Sequence, residues 1–368
     1  MIKRIERVCK LALARFISLF LSRRRITARE LGCLDVSRLL VIRQHHQMGD
    51  MLLAVPAFRG LRTRFDDARI TLLAAPINAA CMRGNPYVDE VLVLPRKRGL
   101  RSALDLARFI EDLRRRRFDA AIVLNTVSFS VTSMLLAVAS GARLRIGSTS
   151  EPFGHDLTSR FYHLELPLPP REELAAMHES VHNIYPLSAI GVHAADLTSV
   201  FVPSAEDERD CERFIAASFG TAGRFIVVHP GAGKARNVWP GGRYAEAVKV
   251  LGDRFKSGVV ATGGPADAAA LETFLEACVD RPFVLPCPSV GFLGALMKRS
   301  ALTLCNDTGI MHIAGAVGAR CVAVFGPTDP ARWKPVNETV VAVRGKDGSV
   351  ESASVDEVVA AAAALLGG

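Results

Sequence analysis

No stretch of this chain is apolar for long enough to cross a bilayer. The longest runs, such as residues 358–366 (VVAAAAALL), fall well short of the ~18 residues a membrane-spanning helix needs. Paired cysteines are also missing. Cys9, Cys33, Cys81, Cys211, Cys278, Cys287, Cys305 and Cys321 are scattered, with no C-x-x-C pair and no histidine at zinc-finger spacing. That pattern fits reduced, mostly buried thiols of a cytoplasmic protein and argues against a disulfide framework. There is no convincing D-x-D metal motif, since Asp66 and Asp67 follow an amphipathic helical pattern and read as solvated. Neither a metal nor a cofactor is therefore expected. The 49% hydrophobic and 23% charged fractions exclude a disordered or collagen-like chain, and 368 residues suggest two domains.

Acidic residues are scarce in one place. Residues 1–25 hold Lys3, Arg4, Arg7, Lys10, Arg15, Arg23, Arg24 and Arg25 against Glu6 alone, so this segment carries +7 of the net +9. A nucleic-acid binder would show a basic face across its folded domain, so a nucleic-acid partner is not expected. At 100° per residue, Ile2, Ile5, Cys9, Leu13, Phe16 and Phe20 share one helical face, and Lys3, Arg4, Arg7, Lys10 and Arg15 the other. A basic amphipathic helix of this kind lies in the plane of an anionic bilayer. The alternatives are a helix packed on its own domain, a disordered tail, or a secretory signal. The signal is disfavoured by the cations interrupting the apolar residues and by the lack of a small-residue cleavage site.

Beyond residue 25, strand and helix patterns alternate twice, which predicts two α/β units with parallel sheets. In the first, strand patterns cover 38–43 (RLLVIR), 70–74, 90–94, 120–124 and 144–147. Helical patterns cover 51–64, about 100–117 and 129–139. A His- and Pro-rich region from about 150 to 205 includes a linker or surface loop at 164–170 (LELPLPP) and a helical stretch at 175–190. The second unit has strands at 224–229, 258–262, 301–305 and 321–325, and a closing helix at 355–366.

Parallel sheets bind ligands beyond the carboxyl ends of their strands, so the loops following the strands are the candidate sites. After the first strand come residues 44–50 (QHHQMGD), where Gly49 permits a tight turn. Asp50 is either the N-cap of the next helix or a carboxylate able to take a proton from a hydroxyl. After the strand at 224–229 comes a glycine-rich loop, 229–240 (HPGAGKARNVWP). Its small residues admit an anion to the backbone amides, and Lys234 and Arg236 add charge. It is neither a Walker A loop, for which the glycine spacing is wrong and Ala235 replaces the required Ser or Thr, nor G-x-G-x-x-G. At 305–316 (CNDTGIMHIAGA) a strand ends, Asn306, Asp307 and Thr308 turn, and a helix begins near Thr308. Its free amides suit phosphate, with His312 one turn further on. The bland reading is an N-cap by Asp307 and a packed His312. A further turn, 325–330 (FGPTDP), follows the next strand. Three such turns favour a nucleotide diphosphate site.

Together these stretches resemble a known family. Residues 229–240, 306–319 (NDTGIMHIAGAVGA) and 322–335 (VAVFGPTDPARWKP) resemble the C-terminal signatures of glycosyltransferase family 9, the lipopolysaccharide heptosyltransferase family. Residues 48–62 (MGDMLLAVPAFRGLR) resemble its N-terminal signature. The matches run in the family's order over about residues 38–345. The resemblance implies a GT-B fold, two Rossmann-like domains with parallel sheets facing across a cleft. The segments would be a basic helix at 1–25, an acceptor domain at 26–190 and a nucleotide-sugar domain at 191–368. It implies inverting transfer, without a covalent intermediate, of heptose from ADP-heptose to a lipopolysaccharide core or related glycolipid. Asp50 would be the general base, with Gly49 and His46 on the acceptor side. Gly231, Ala232, Lys234, Arg236, Asn237, Trp239, Asn306, Asp307, Thr308, Gly309 and His312 would hold the donor.

The chain departs from the family at Asn237, where a lysine two residues before Trp-Pro is usual. Lys234 or Arg236 would then supply the charge, or the donor differs. A degenerate glycan-binding protein and a nucleotide-sugar epimerase are the other readings. The basic clusters at 96–101 and 114–117 fit either a membrane-facing acceptor side or a solvated surface. The expected location is the inner face of the cytoplasmic membrane, with its anionic surface as a partner of residues 1–25.

Overall fold

The computed structural model describes residues 12–21, 24–44, 47–95, 103–125, 129–154, 158–220 and 223–367. The chain divides into two compact units. One lies within Met1–His46 and Ala54–Leu197, the other within Gln47–Leu53 and Thr198–Gly368.

The first unit is built on six parallel strands: β1 (Arg38–Arg43), β2 (Arg69–Ala74), β3 (Glu90–Val93), β4 (Ala120–Val123), β5 (Leu144–Ser148) and β6 (Leu164–Leu166). Their order is β3-β2-β1-β4-β5-β6. The run RLLVIR is buried at every position after Arg38, as expected of a central parallel strand covered on both faces. Strand β6 falls within the stretch read as a linker. It has three residues and pairs Ile146 with Leu164 and Ser148 with Leu166, too short to carry a periodic signal. The helical pattern read at 51–64 is broken into Met48–Leu52 and Val55–Arg64. Pro56 is the reason, because it has no N–H and its ring would collide with the carbonyl of Leu52 in a continuous helix. Likewise the pattern at 175–190 is two helices, Arg171–Ala176 and Glu179–Ser188.

Residues 12–18 are helical. Ala14 and Ser18 are buried, and Ile17 and Leu21 pack beside Ala14 on a core that includes Phe118, Leu136 and Tyr162. Packing on its own unit, one of the alternatives for this segment, is thus observed for one face. Leu13, Phe16 and Phe20, from the face predicted to be apolar, are 49%, 60% and 75% exposed. Ile2, Ile5 and Cys9 lie outside the described residues, as do His46 and Arg96 to Arg101. Of the second basic cluster, Arg115 pairs with Glu111, and Arg116 with Glu90 and Asp112.

The second unit repeats the plan with β7 (Phe225–His229), β8 (Gly258–Gly263), β9 (Phe283–Pro286), β10 (Leu302–Asn306), β11 (Cys321–Phe325) and β12 (Val340–Arg344), ordered β12-β11-β10-β7-β8-β9. Strands β9 and β12 gave no clear signal in the sequence. They form the sheet's two edges, where β9 is largely exposed and no strict apolar pattern is required. Trp239, Tyr244 and Phe274 are fully buried beneath β7 and β10, with Trp239 and Tyr244 edge to face at 4.8 Å. Counted within each unit, both sheets have the strand order 3-2-1-4-5-6. The direction of winding reverses between first and fourth strands, here β1/β4 and β7/β10, and the crevice beyond their carboxyl ends is where such sheets bind ligands.

Candidate functional site

At the β7/β10 crevice two loops are locked together by one side chain. Asn306, the last residue of β10, is completely buried. Its Nδ2 donates to the carbonyls of Pro230 and Gly231 at 2.8 and 3.0 Å, and its Oδ1 accepts from the Trp239 amide at 3.0 Å. The loop after β7 is therefore held at both ends. Trp239 has no exposed surface and donates its indole N–H to the Ala353 carbonyl at 3.0 Å. Asn306 and Trp239, both expected to bind donor, are placed as braces beneath the loop. Between them Ala232 is half-buried, while Lys234 and Arg236 are exposed. Asn237 is buried in a short 3-10 turn, Ala235–Asn237. Its Nδ2 donates to Asp307 Oδ2 at 3.1 Å, and its Oδ1 has no partner.

Asp307 begins the turn after β10. Burial pushes its carboxyl above the usual range, and a hydrogen bond with Thr328 and the Lys234 charge pull it partly back. Thr328 belongs to the turn 325–330, so that third turn does converge on the site. The N-cap of the following helix, Gly309–Ala316, is Thr308 rather than Asp307, with the Thr308 side chain accepting from Ile310 N at 3.2 Å. Eight residues of aligned peptides leave a partial positive charge at this end, beside Asp307.

The helix Met48–Leu52 packs on Gly309–Ala316, and two glycines permit the approach. A Cβ on Gly309 would come within 2.6 Å of Met48 Cε. One on Gly49 would come within 2.5 Å of His312 Cδ2 and 2.8 Å of its Nε2. Asp50 occupies the third position of its helix, whose N-cap is Gln47. It is therefore not the N-cap, and it belongs to the same compact unit as the Asp307–Gly309 turn. Ser199 Oγ donates to the Leu52 carbonyl at 2.6 Å and fixes the helix's far end.

Sequence reasoning missed a third support. His229 Nδ1 lies 3.2 Å from Thr262 Oγ1, and its Nε2 lies 3.5 Å from Asp267 Oδ2. Asp267 Oδ2 also accepts from Gly264 N at 2.8 Å. The Asp267 carboxylate packs against the Cα of Gly231, which is why that position has no room for a side chain. Burial lowers the His229 pKa, opposed by Asp267. The available signal was the glycine turn 263–267 (GGPAD) directly after β8. A cavity of about 280 Å³ lined by Val248, Lys256 and Phe283 lies at the opposite ends of β8 and β9 and is not part of this arrangement. Among the described residues no cluster of His, Cys, Asp or Glu could hold a metal ion, and no helix is long and apolar enough to cross a membrane.

Two units of Rossmann strand order, one with a glycine loop braced against the end of β10, define an α/β protein of the GT-B class. The chain belongs to glycosyltransferase family 9 (heptosyltransferase), which it matches over residues 106–358. It is 25% identical over 303 residues to lipopolysaccharide heptosyltransferase 3 of Escherichia coli K12, covering 80% of this chain and 84% of that one. Its fold is that of the glycosyl transferase family 9 protein of Veillonella parvula, with TM-score 0.78, 23% identity and coverage of 90% and 98% of the two chains. It is also that of the E. coli ADP-heptose lipopolysaccharide heptosyltransferase II, with TM-score 0.72, 22% identity and coverage of 89% and 98%.

Proposed function

We propose that this protein transfers heptose from ADP-heptose to a lipopolysaccharide core or related glycolipid, with inversion and without a metal. The observation that carries the reading is the packing of the Asp50 helix on the helix that opens at Thr308. It supports a base and a leaving-group site held in one rigid body. In the reaction Asp50 accepts the proton of an acceptor hydroxyl as that oxygen bonds to the anomeric carbon. The carbon–oxygen bond to the diphosphate breaks on the opposite face, and ADP leaves with the electron pair. The amides at the start of Gly309–Ala316 stabilise the developing negative charge. Of the two loop cations, Lys234 is the better candidate to assist them, because its charge already reaches Asp307.

Asn237 favours a second reading within the family. An amide bonded to Asp307 stands where the resemblance leads one to expect a lysine, which suits a different nucleotide sugar. Incubation with a panel of nucleotide sugars and a lipopolysaccharide core acceptor tests both. ADP-heptose is expected to give the fastest transfer, and a faster alternative sugar would establish the second reading. Transfer or hydrolysis of none would leave a glycan-binding protein.

The proposal extends to location, the cytoplasmic face of the inner membrane. The exposed face of residues 12–21 supports it: Leu13, Phe16 and Phe20, with Phe16 and Phe20 in ring contact at 5.2 Å, and Arg15 exposed beside them. The eight cations of residues 1–25 each add about 1 kcal/mol of attraction when close to an anionic surface. Deleting the segment would strip Ala14 and Leu21 from the core, so substitutions are the cleaner test. Changing Leu13, Phe16 and Phe20 together to serine is expected to lower binding to phosphatidylglycerol vesicles at least tenfold with little change in Tm. Undiminished sedimentation with vesicles would refute the assignment.

A further inference from the structure

Beyond the carboxyl ends of β4 and β5 in the first unit lies a buried amide with no hydrogen-bond partner among the described residues. Asn125, just beyond β4, is 8% exposed, and neither its Nδ2 nor its Oδ1 has a hydrogen-bond partner. A buried primary amide left open at both ends is costly, and native structures keep few such groups without a use. Ser148, the last residue of the neighbouring β5, is 8% exposed. Its hydroxyl has no hydrogen-bond partner among the described residues, unlike Thr158, which bonds Ser150 and Glu165. Both residues border one small cavity of about 10 Å³, whose wall includes Phe129, Ser130 and Tyr162. Ser130 is held from the β1 side, accepting from Gln44 Nε2 at 2.7 Å.

The chemistry of this wall narrows the guest. It presents an amide, hydroxyls and aromatic rings, and none of the residues lining it is ionisable near neutral pH. An anionic group would find no cation there. The volume holds about one water-sized group, too little for a ring and enough for one hydroxyl. An open amide can donate to and accept from a single hydroxyl at once. We infer that Asn125 and Ser148 form an acceptor subsite that takes one hydroxyl of a neutral sugar, the rest of the sugar lying outside the cavity. The subsite deepens the glycosyl-transfer reading and rests on it. It sits beyond strand carboxyl ends, where the topology puts ligands.

The test is Asn125→Leu, which keeps the side chain's approximate size and removes the open amide. Binding of delipidated core oligosaccharide is measured by calorimetry, and transfer kinetics are measured with the preferred sugar. The variant is expected to bind oligosaccharide at least tenfold more weakly and to show a correspondingly higher acceptor KM. Its ADP affinity should stay within twofold, and its Tm should be equal or higher because an unsatisfied polar group is gone. If the amide holds only a structural water, Asn125→Leu will bind oligosaccharide as wild type does, which overturns the subsite while leaving the transferase reading intact. A wild-type protein that binds no oligosaccharide and transfers no sugar overturns both.

Discussion

Asp50→Asn is expected to lower the transfer rate about 10³-fold, within the 10²–10⁴ range for loss of a positioned general base, while ADP binds with unchanged or slightly tighter Kd. The substitution preserves shape and helix position, so the helix Met48–Leu52 keeps its packing on Gly309–Ala316. The negative charge and the ability to accept a proton are removed. An acceptor hydroxyl must then lose its proton to water, and the nucleophile is weaker throughout bond formation. ADP needs no base, and removing a carboxylate from the unit that holds it relieves repulsion. Single-turnover transfer together with calorimetric titration of ADP separates the two effects. Transfer within tenfold of wild type would remove Asp50 from the role of base. A parallel collapse of ADP binding would make it a structural residue of the donor site.

Much of this arrangement was legible in the residues. β1 and β7 are apolar runs because both sheet faces are covered, and each ends in polar or glycine-rich sequence because its loop must reach solvent. The turn at Asp307 and Thr308 was readable for the same reason, although the cap is Thr308 rather than Asp307. The edge strand β9 was not legible, since a half-exposed strand needs no fixed apolar pattern. The break before Val55–Arg64 was available from Pro56 but was masked by the apolar periodicity on either side. The parts that stayed hidden depend on distant partners. Asp267 reads as an ordinary turn residue until its carboxylate is found against Gly231, and Asn125 reads as a strand-end polar residue until its burial is known. A sequence gives the spacing along a chain, whereas these roles arise from strands that are neighbours in the sheet and not in the chain.

Asn306 is the sharpest case, and its substitution carries the second large expected effect. In the sequence it is one polar residue of a turn and a candidate ligand of the donor. In the fold both of its amide donors and its carbonyl oxygen are turned inward, to Pro230, Gly231 and the Trp239 backbone amide. Asn306→Ala would strand the Trp239 N–H and two carbonyls in a buried place. At about 1–3 kcal/mol for each unsatisfied buried group, partly relieved by entering water, a loss of about 3 kcal/mol in unfolding free energy is expected. The loop 230–239 would lose its clamp, so ADP affinity should fall at least tenfold. The discriminating variant is Asn306→Asp. It fits the same space and could still accept from Trp239, but it would set carboxylate oxygen against the carbonyls of Pro230 and Gly231. It should therefore be at least as damaging as alanine, in both calorimetric Tm and ADP titration. A residue that bound donor only through the Oδ1 acceptor would tolerate aspartate, and wild-type ADP affinity in Asn306→Asp would refute the clamp. Asn237→Ala is the control from the same loop. It releases one hydrogen bond to Asp307 and removes an acceptor that has no partner, so its cost in Tm should be much the smaller of the two.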